Sequence, residues 1–363
     1  MGKLKQGVKA DIAYPNNQYI GRSYIDDVIL RQLNKIDEEI TNKSDEISKH
    51  IINIYGEAGV GKTTTQKHII ESLVNSENNY RKGRGIPIKY LFFDLKRECL
   101  DKYSFIIRVI ECLRSKYSMN DFICTTCALY KLSKSTGKEF NIDLLSQINE
   151  QINKKATKVA LRTAESVKWL SNFLEIGGII LSSDNKSNKE IYDAFEKRAE
   201  ITDGESFNIV RSIIRSDINA IDDNIMLYFI QDLRLMIEKL RAPIIFCIES
   251  FDIQTAGTSL WDFEVYIREL VEELSHILWI ISSRDCFSEF FPGWKKTSII
   301  NIELHPFTET LTKEYVMKAN LPIEISELFY KLSKGNPRRL RQLHIKYLEL
   351  KERNDNYLDE NNY

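Results

Sequence analysis

Residues 51–65 read IINIYGEAGVGKTTT, and the fold turns on what the glycines in this stretch do. Gly56, Gly61, Lys62 and Thr63 fit the spacing G-x-x-x-x-G-K-[ST]. Upstream, Ile51, Ile52, Ile54 and Tyr55 make a short apolar, mostly β-branched run, predicted as a buried strand. Downstream, TTQKHIIESLV sets Ile69, Ile70, Leu73 and Val74 at helical spacing. Strand, glycine turn and helix thus follow in the order a phosphate-holding loop needs. Glycines let the backbone curl so that successive N–H groups face phosphate oxygens, and the helix N-terminus adds positive potential. Gly56, Glu57, Ala58, Gly59, Val60, Gly61, Lys62, Thr63 and Thr64 are therefore the candidate phosphate cradle. Lys62 is expected to reach the β- and γ-phosphates, and the Thr63 hydroxyl to ligate Mg²⁺. A second Gly-Lys pair, Gly137-Lys138, lacks the upstream strand and glycine.

Working outward, residues 1–17 are polar and read as a loose arm, followed by a helix from near Asp26 with Ile29, Leu30, Leu33 and Ile36 on one face. Beyond the loop's helix, the basic turn RKGRG (Arg81–Gly85) leads into a second strand, IKYLFFDL. A helix follows with Phe105, Ile106, Val109, Ile110 and Leu113 on its apolar side. Between 117 and 207 the chain is polar, rich in Ser, Lys and Asn, and helical in period, so it reads as an insertion. Helical period resumes with Ile225, Phe229, Leu233, Met236 and Ile237. APIIFCIESFD and LWIISSRD are continuous apolar runs, as expected for strands buried on both faces, with the helix WDFEVYIRELVEEL between them. The expected fold class is α/β: a parallel sheet flanked by helices, with a helical insertion and a C-terminal helical lid. The units are 1–45 (arm and first helix), 46–116 (first half of the core), 117–207 (insertion), 208–305 (second half) and 306–363 (lid).

With 51 basic against 52 acidic residues the formal net charge is -1, which supplies no bulk attraction to nucleic acid. The opening MGKLKQGVKADIAYP has no apolar core of a secretory signal, and a cytoplasmic location is expected. The most lipid-like stretch, Trp169–Leu181, is too short to span a bilayer and carries Asn172 and Glu175, so it reads as a core helix. Cys124 and Cys127 make one CxxC, but no second pair and no His-x-x-His completes a zinc set. Reduced thiols are expected, with no metal beyond a nucleotide-bound Mg²⁺.

Parallel sheets bind ligands at the carboxyl ends of their strands, and the glycine loop, Glu249, Asp252 and Ser283 all fall at such ends. Glu249 follows the run IIFCI, where an acid holds the water shell of a nucleotide-bound cation. Asp252 is placed to orient the attacking water or to support Glu249. Ser283 and Arg284 end the next strand, where a polar or cationic group can sense a γ-phosphate.

GEAGVGKT, IIFCIESFD, IISSRD, ELHPFTETLTKEYV and GNPRRL follow in the motif order of STAND-type NTPases, which the chain resembles over most of its length outside 117–207. These are signal-transducing P-loop ATPases related to AAA+ proteins. The resemblance implies an ATP- and Mg²⁺-binding switch that hydrolyses slowly, assembles into a homo-oligomer and acts in prokaryotic antiviral defence. It also implies that Tyr19, Ile20, Gly21 and Arg22 pack by the adenine, and that Pro337 of the GNPRRL lid motif lies against the base. Arg338 or Arg339 would join Lys62, Ser283 and Arg284 in reading the γ-phosphate. The chain departs from the pattern with Glu249 in place of the strand's first Asp, and with Ser250 where many AAA+ ATPases carry a catalytic Glu. Sensor repeats and an effector module are not recognisable after the lid, so the chain is expected to be a core fragment or to use separate sensor and effector chains. An AAA+-like ATPase acting with DNA, of the transposition-regulator or origin-recognition type, is the alternative; no winged helix follows the lid, and DNA is not the favoured partner. A membrane NTPase of the KAP type would need spanning helices between the two acidic and glycine motifs. No NKxD-like guanine reader appears, so ATP is the expected nucleotide.

Overall fold

The computed structural model describes residues 20–42, 48–71, 88–95, 102–117, 122–136, 188–240, 242–251, 260–290, 292–294 and 297–360. In chain order the elements are α1 (Ser23–Asn42), β1 (His50–Tyr55), α2 (Lys62–Ile69), β2 (Lys89–Asp94), α3 (Lys102–Tyr117), α4 (Ile123–Thr136), α5 (Asn188–Thr202), α6 (Gly204–Arg215), α7 (Ile218–Leu240), β3 (Ile244–Glu249), α8 (Leu260–Glu273), β4 (Ile277–Ser283), α9 (Phe287–Phe290), β5 (Ile299–Glu303), α10 (Glu309–Lys318), α11 (Ser326–Ser333) and α12 (Pro337–Glu360). All five strands run parallel in one sheet, ordered β2-β3-β4-β1-β5. Trp169–Leu181 and Arg81–Gly85 lie outside the described residues.

Strand residues alternate between the two faces of the sheet. In β4, Ile277, Trp279 and Ile281 enter the larger core, while Leu278 and Ile280 enter the smaller one. In β3, Ile244, Phe246 and Ile248 are divided from Ile245 and Cys247 in the same way. Helices cover both faces, which is why these strands are apolar without interruption. The smaller core seats α1 through Ile25, Ile29, Leu33 and Ile36, and α2 through Ile69. The larger one takes α3 to α8, with Phe105, Val109, Phe229 and Leu233 fully buried. Each such side chain contributes about 1.5–3 kcal/mol by leaving water.

The described helices of the 117–207 stretch pack into the larger core through α7. The carboxylate of Asp232, on α7, accepts from the backbone N–H groups of Cys124 (3.3 Å) and Thr125 (2.8 Å) and from the Thr125 hydroxyl (2.6 Å). It thus satisfies the first turn of α4 from another helix. In return, Lys131 of α4 donates to the carbonyls of Ile213 (3.0 Å), Ile214 (2.7 Å) and Ser216 (2.6 Å), closing the C-terminal end of α6. Lys131→Met keeps the side chain's length and removes these donors. It is expected to lower stability by about 1–2 kcal/mol, read as a lower thermal midpoint with an unchanged helical signal. Cys124 and Cys127 sit on α4 as buried thiols, which burial pushes far above the usual range and so keeps protonated and inert. Among the described residues no cluster of His, Cys, Asp or Glu is placed to hold a metal, and no helix is long and apolar enough to cross a membrane.

The C-terminal helices α10 to α12 form a lid with its own core of Phe307, Val316, Leu321, Phe329 and Leu340. Ile20, from ahead of α1, belongs to this third cluster, so the N-terminal end of the described chain packs into the lid.

Candidate nucleotide site

The sheet delivers the tips of β1, β3 and β4 side by side. Gly56, Gly59 and Gly61 have φ of 141°, 83° and 103°, values that side chains disfavour. Space is short as well: a Cβ on Gly56 would stand 2.5 Å from the Leu304 carbonyl oxygen. The loop ends where α2 begins, at Lys62. The Lys62 ammonium folds back onto the carbonyls of Gly56 (2.5 Å) and Glu57 (3.1 Å), at the mouth of the loop. The Thr63 hydroxyl donates directly to the carboxylate of Glu249, which is 9% exposed at the end of β3. A hydroxyl and a carboxylate meeting beside a glycine loop are a hard-oxygen donor pair suited to Mg²⁺. Thr64 is exposed one position further along α2.

Gln66 anchors α2 from below, its amide nitrogen donating to the carbonyls of Ile280 (3.1 Å) and Ile248 (3.3 Å) on adjacent strands. Ser250 follows Glu249 at φ 62°, a left-handed conformation for a non-glycine residue, of the kind that collects at functional sites. Asp252 lies outside the described residues.

Ser283 pairs with Tyr55, the residue before Gly56. The Ser283 hydroxyl lies on the larger-core side, where it accepts from the Asn53 amide (2.9 Å) and donates to the Asp285 carbonyl (2.6 Å). Asn53 also accepts from Phe287 N–H (2.8 Å), so this buried amide fixes the turn after β4. Alternation along β4 assigns Ser282, not Ser283, to the face that α2 covers. Arg284 is exposed, and its carbonyl accepts from the N–H of Gly56 (3.1 Å), which joins this turn to the first residue of the glycine loop.

Ile20-Gly21-Arg22 reaches the site from the lid side. The buried Arg22 guanidinium donates to the carbonyl of Val60 (2.6 Å), the hydroxyl of Thr65 (3.2 Å) and the carbonyl of His305 (3.4 Å). It also lies 5.4 Å from the centre of the Phe307 ring. One side chain therefore touches the loop, α2 and the segment joining β5 to the lid. Gly21 must be small, since a Cβ there would meet Leu311 at 2.6 Å.

Asn336 sits just before Pro337, the first residue of α12. Its side-chain oxygen accepts from the N–H groups of Arg338 (3.1 Å) and Arg339 (3.3 Å) and so caps the helix. The cap turns its amide nitrogen outward, to the Ala58 carbonyl at 3.1 Å. Arg338 N–H also donates to the Gly59 carbonyl at 3.1 Å, so the lid is bonded to the apex of the glycine loop. Thr65, Asn53 and Gln66 carry no motif signal beyond their spacing to the loop.

The fold is α/β: a five-stranded parallel sheet flanked by helices, with the glycine loop at the tip of β1. No family model matches the chain, and no curated protein matches it. Among solved structures it is similar to the Orc1 protein of Aeropyrum pernix in complex with DNA, at 12% identity and a TM-score of 0.38, covering 90% of this chain and 60% of that one. The chain thus spans less than two thirds of that protein's length, and the likeness is too loose to bear on function.

Proposed function

We propose that the chain is an ATP-binding, slowly hydrolysing switch of the STAND class. One observation carries this reading: the Thr63 hydroxyl and the Glu249 carboxylate meet at the opening turn of α2, beside a glycine loop to which the lid is hydrogen-bonded. Lys62 and the loop amides hold the phosphates, and Thr63 and Glu249 hold Mg²⁺. Mg²⁺ held by Thr63 and Glu249 would neutralise phosphate charge. Glu249, with Asp252, serves as the base that orients water, and Ser250 in place of a second acid fits slow turnover. Ile20, Gly21, Arg22 and Pro337 form the base-side wall where the lid meets the core. Arg284 reads the γ-phosphate from the turn after β4. Nucleotide held between core and lid would favour a closed over an open arrangement and allow homo-oligomers to assemble in antiviral signalling with separate sensor or effector chains.

A second reading, an AAA+-like ATPase acting with DNA, is favoured by the exposed Arg338, Arg339, Arg341 and Lys346 on α12. Sedimentation separates the two. The switch is expected to form a larger species with Mg-ATP but not with ADP, and Lys62→Ala is expected to remove it. A monomer in every nucleotide state that hydrolyses ATP only with added DNA would favour the second reading.

A further inference from the structure

The lid grips the outside of the glycine loop at two carbonyls, those of Ala58 and Gly59. In a trans peptide the carbonyl of one residue and the N–H of the next are antiparallel across a rigid plane. Fixing the carbonyls of Ala58 and Gly59 therefore fixes the directions of the N–H groups of Gly59 and Val60, the second of which donates to the Glu57 carbonyl (3.3 Å). Asn336 holds the first carbonyl and the N–H of Arg338 holds the second. Arg22 does the same for the next plane, through the Val60 carbonyl, and so sets the N–H of Gly61. Three consecutive peptide planes of the loop are thus oriented by groups outside it, two of them belonging to the lid.

We infer that Asn336 is a positioning residue that makes phosphate affinity depend on lid closure. Glycine at 56, 59 and 61 lets these planes turn, and an unheld loop samples orientations that aim its N–H groups away from an anion. The Asn336 bond removes that freedom in advance at the Gly59 N–H, as Arg22 does at Gly61, so phosphate meets these two donors already set. The coupling runs both ways: an occupied loop holds its carbonyls outward and so keeps the lid docked. Close packing at the contact supports this, because a Cβ on Gly59 would stand 2.9 Å from both Arg338 Cβ and Asn336 Oδ1.

The proposal rests on the nucleotide-site reading above, and the variant Asn336→Asp tests it. Aspartate keeps the oxygen that caps α12, so the lid helix keeps its start. It removes the donor to Ala58 and places a carboxylate against a carbonyl. Binding of Mg-ATP, Mg-ADP, pyrophosphate and adenosine is measured by calorimetry on wild type and variant. The expected result is a roughly tenfold loss for ATP, ADP and pyrophosphate together, with adenosine unchanged. Equal loss for all four ligands would show a disturbed lid and overturn the proposal, as would no loss for any. A wild-type protein that binds none of the phosphate ligands would overturn the site reading itself, a distinguishable outcome.

Discussion

Glu249→Gln is expected to leave Mg-ATP bound and to slow its hydrolysis by about 100-fold or more. The substitution is nearly isosteric, and the amide oxygen can still accept from the Thr63 hydroxyl that now bonds the carboxylate. What is lost is the negative charge that orients water and holds the cation shell. Because β3 places this side chain on the α2 side of a fully buried strand, the variant has little room to recruit water by a new path. Single-turnover hydrolysis set beside nucleotide binding reads the effect. Unchanged hydrolysis would remove Glu249 from the chemistry and leave Asp252 as the acid to examine. Arrested hydrolysis with ATP still bound should also prolong any ATP-dependent assembly, which ties the chemistry to the switch.

The second large effect lies away from the site. Asp232→Ala leaves two backbone N–H groups and the Thr125 hydroxyl without their acceptor in a fully buried place. Losing them at about 1–3 kcal/mol each, offset by no longer burying a carboxylate, gives a net cost of about 3 kcal/mol. The pH dependence has a definite sign. Burial pushes the Asp232 carboxyl up to about 7, against an unfolded value of about 3.9. Between these values the folded chain binds more proton than the unfolded one, so this group's contribution to stability is full below the lower value. It declines as pH rises through the window and is constant above about 7. The gap between wild type and variant should therefore be wider at pH 5 than at pH 8. Denaturant unfolding at the two values checks this, and a gap that widens with rising pH would contradict it.

Much of this architecture is legible in the residues because its signals are local. The glycine loop, the apolar runs of β3 and β4 and the helical periods of α3 and α7 each declare themselves within a dozen residues. Phe105, Val109, Phe229 and Leu233 are buried as their spacing predicts. By contrast, β5 is five residues long, with two of them exposed, and its pairing with β1 is visible only in three dimensions. A period of two decides which of the adjacent Ser282 and Ser283 faces α2, and strand ends blur that count. Asn336 lies within a recognisable motif, yet its bond to Ala58 joins residues that only the docked lid brings together. Arg22 and Asn53 are likewise polar groups whose partners come from distant elements, and no local pattern marks such pairs.

The sheet order has a consequence for how the chain comes into being. Among the described residues β1 pairs with β4 and β5 alone, and the Asn53–Ser283 contact between β1 and β4 bridges 230 residues. On a ribosome adding about 5–20 residues per second, the first strand waits roughly 10–50 s for any neighbour. Throughout that interval IINIY presents apolar faces and two unpaired hydrogen-bonding edges, an aggregation-prone state that chaperones are built to shield. The two seams of β1 therefore close only once β4 and β5 have been made, and a chain halted before Glu303 cannot complete the pairing of the strand from which its glycine loop springs.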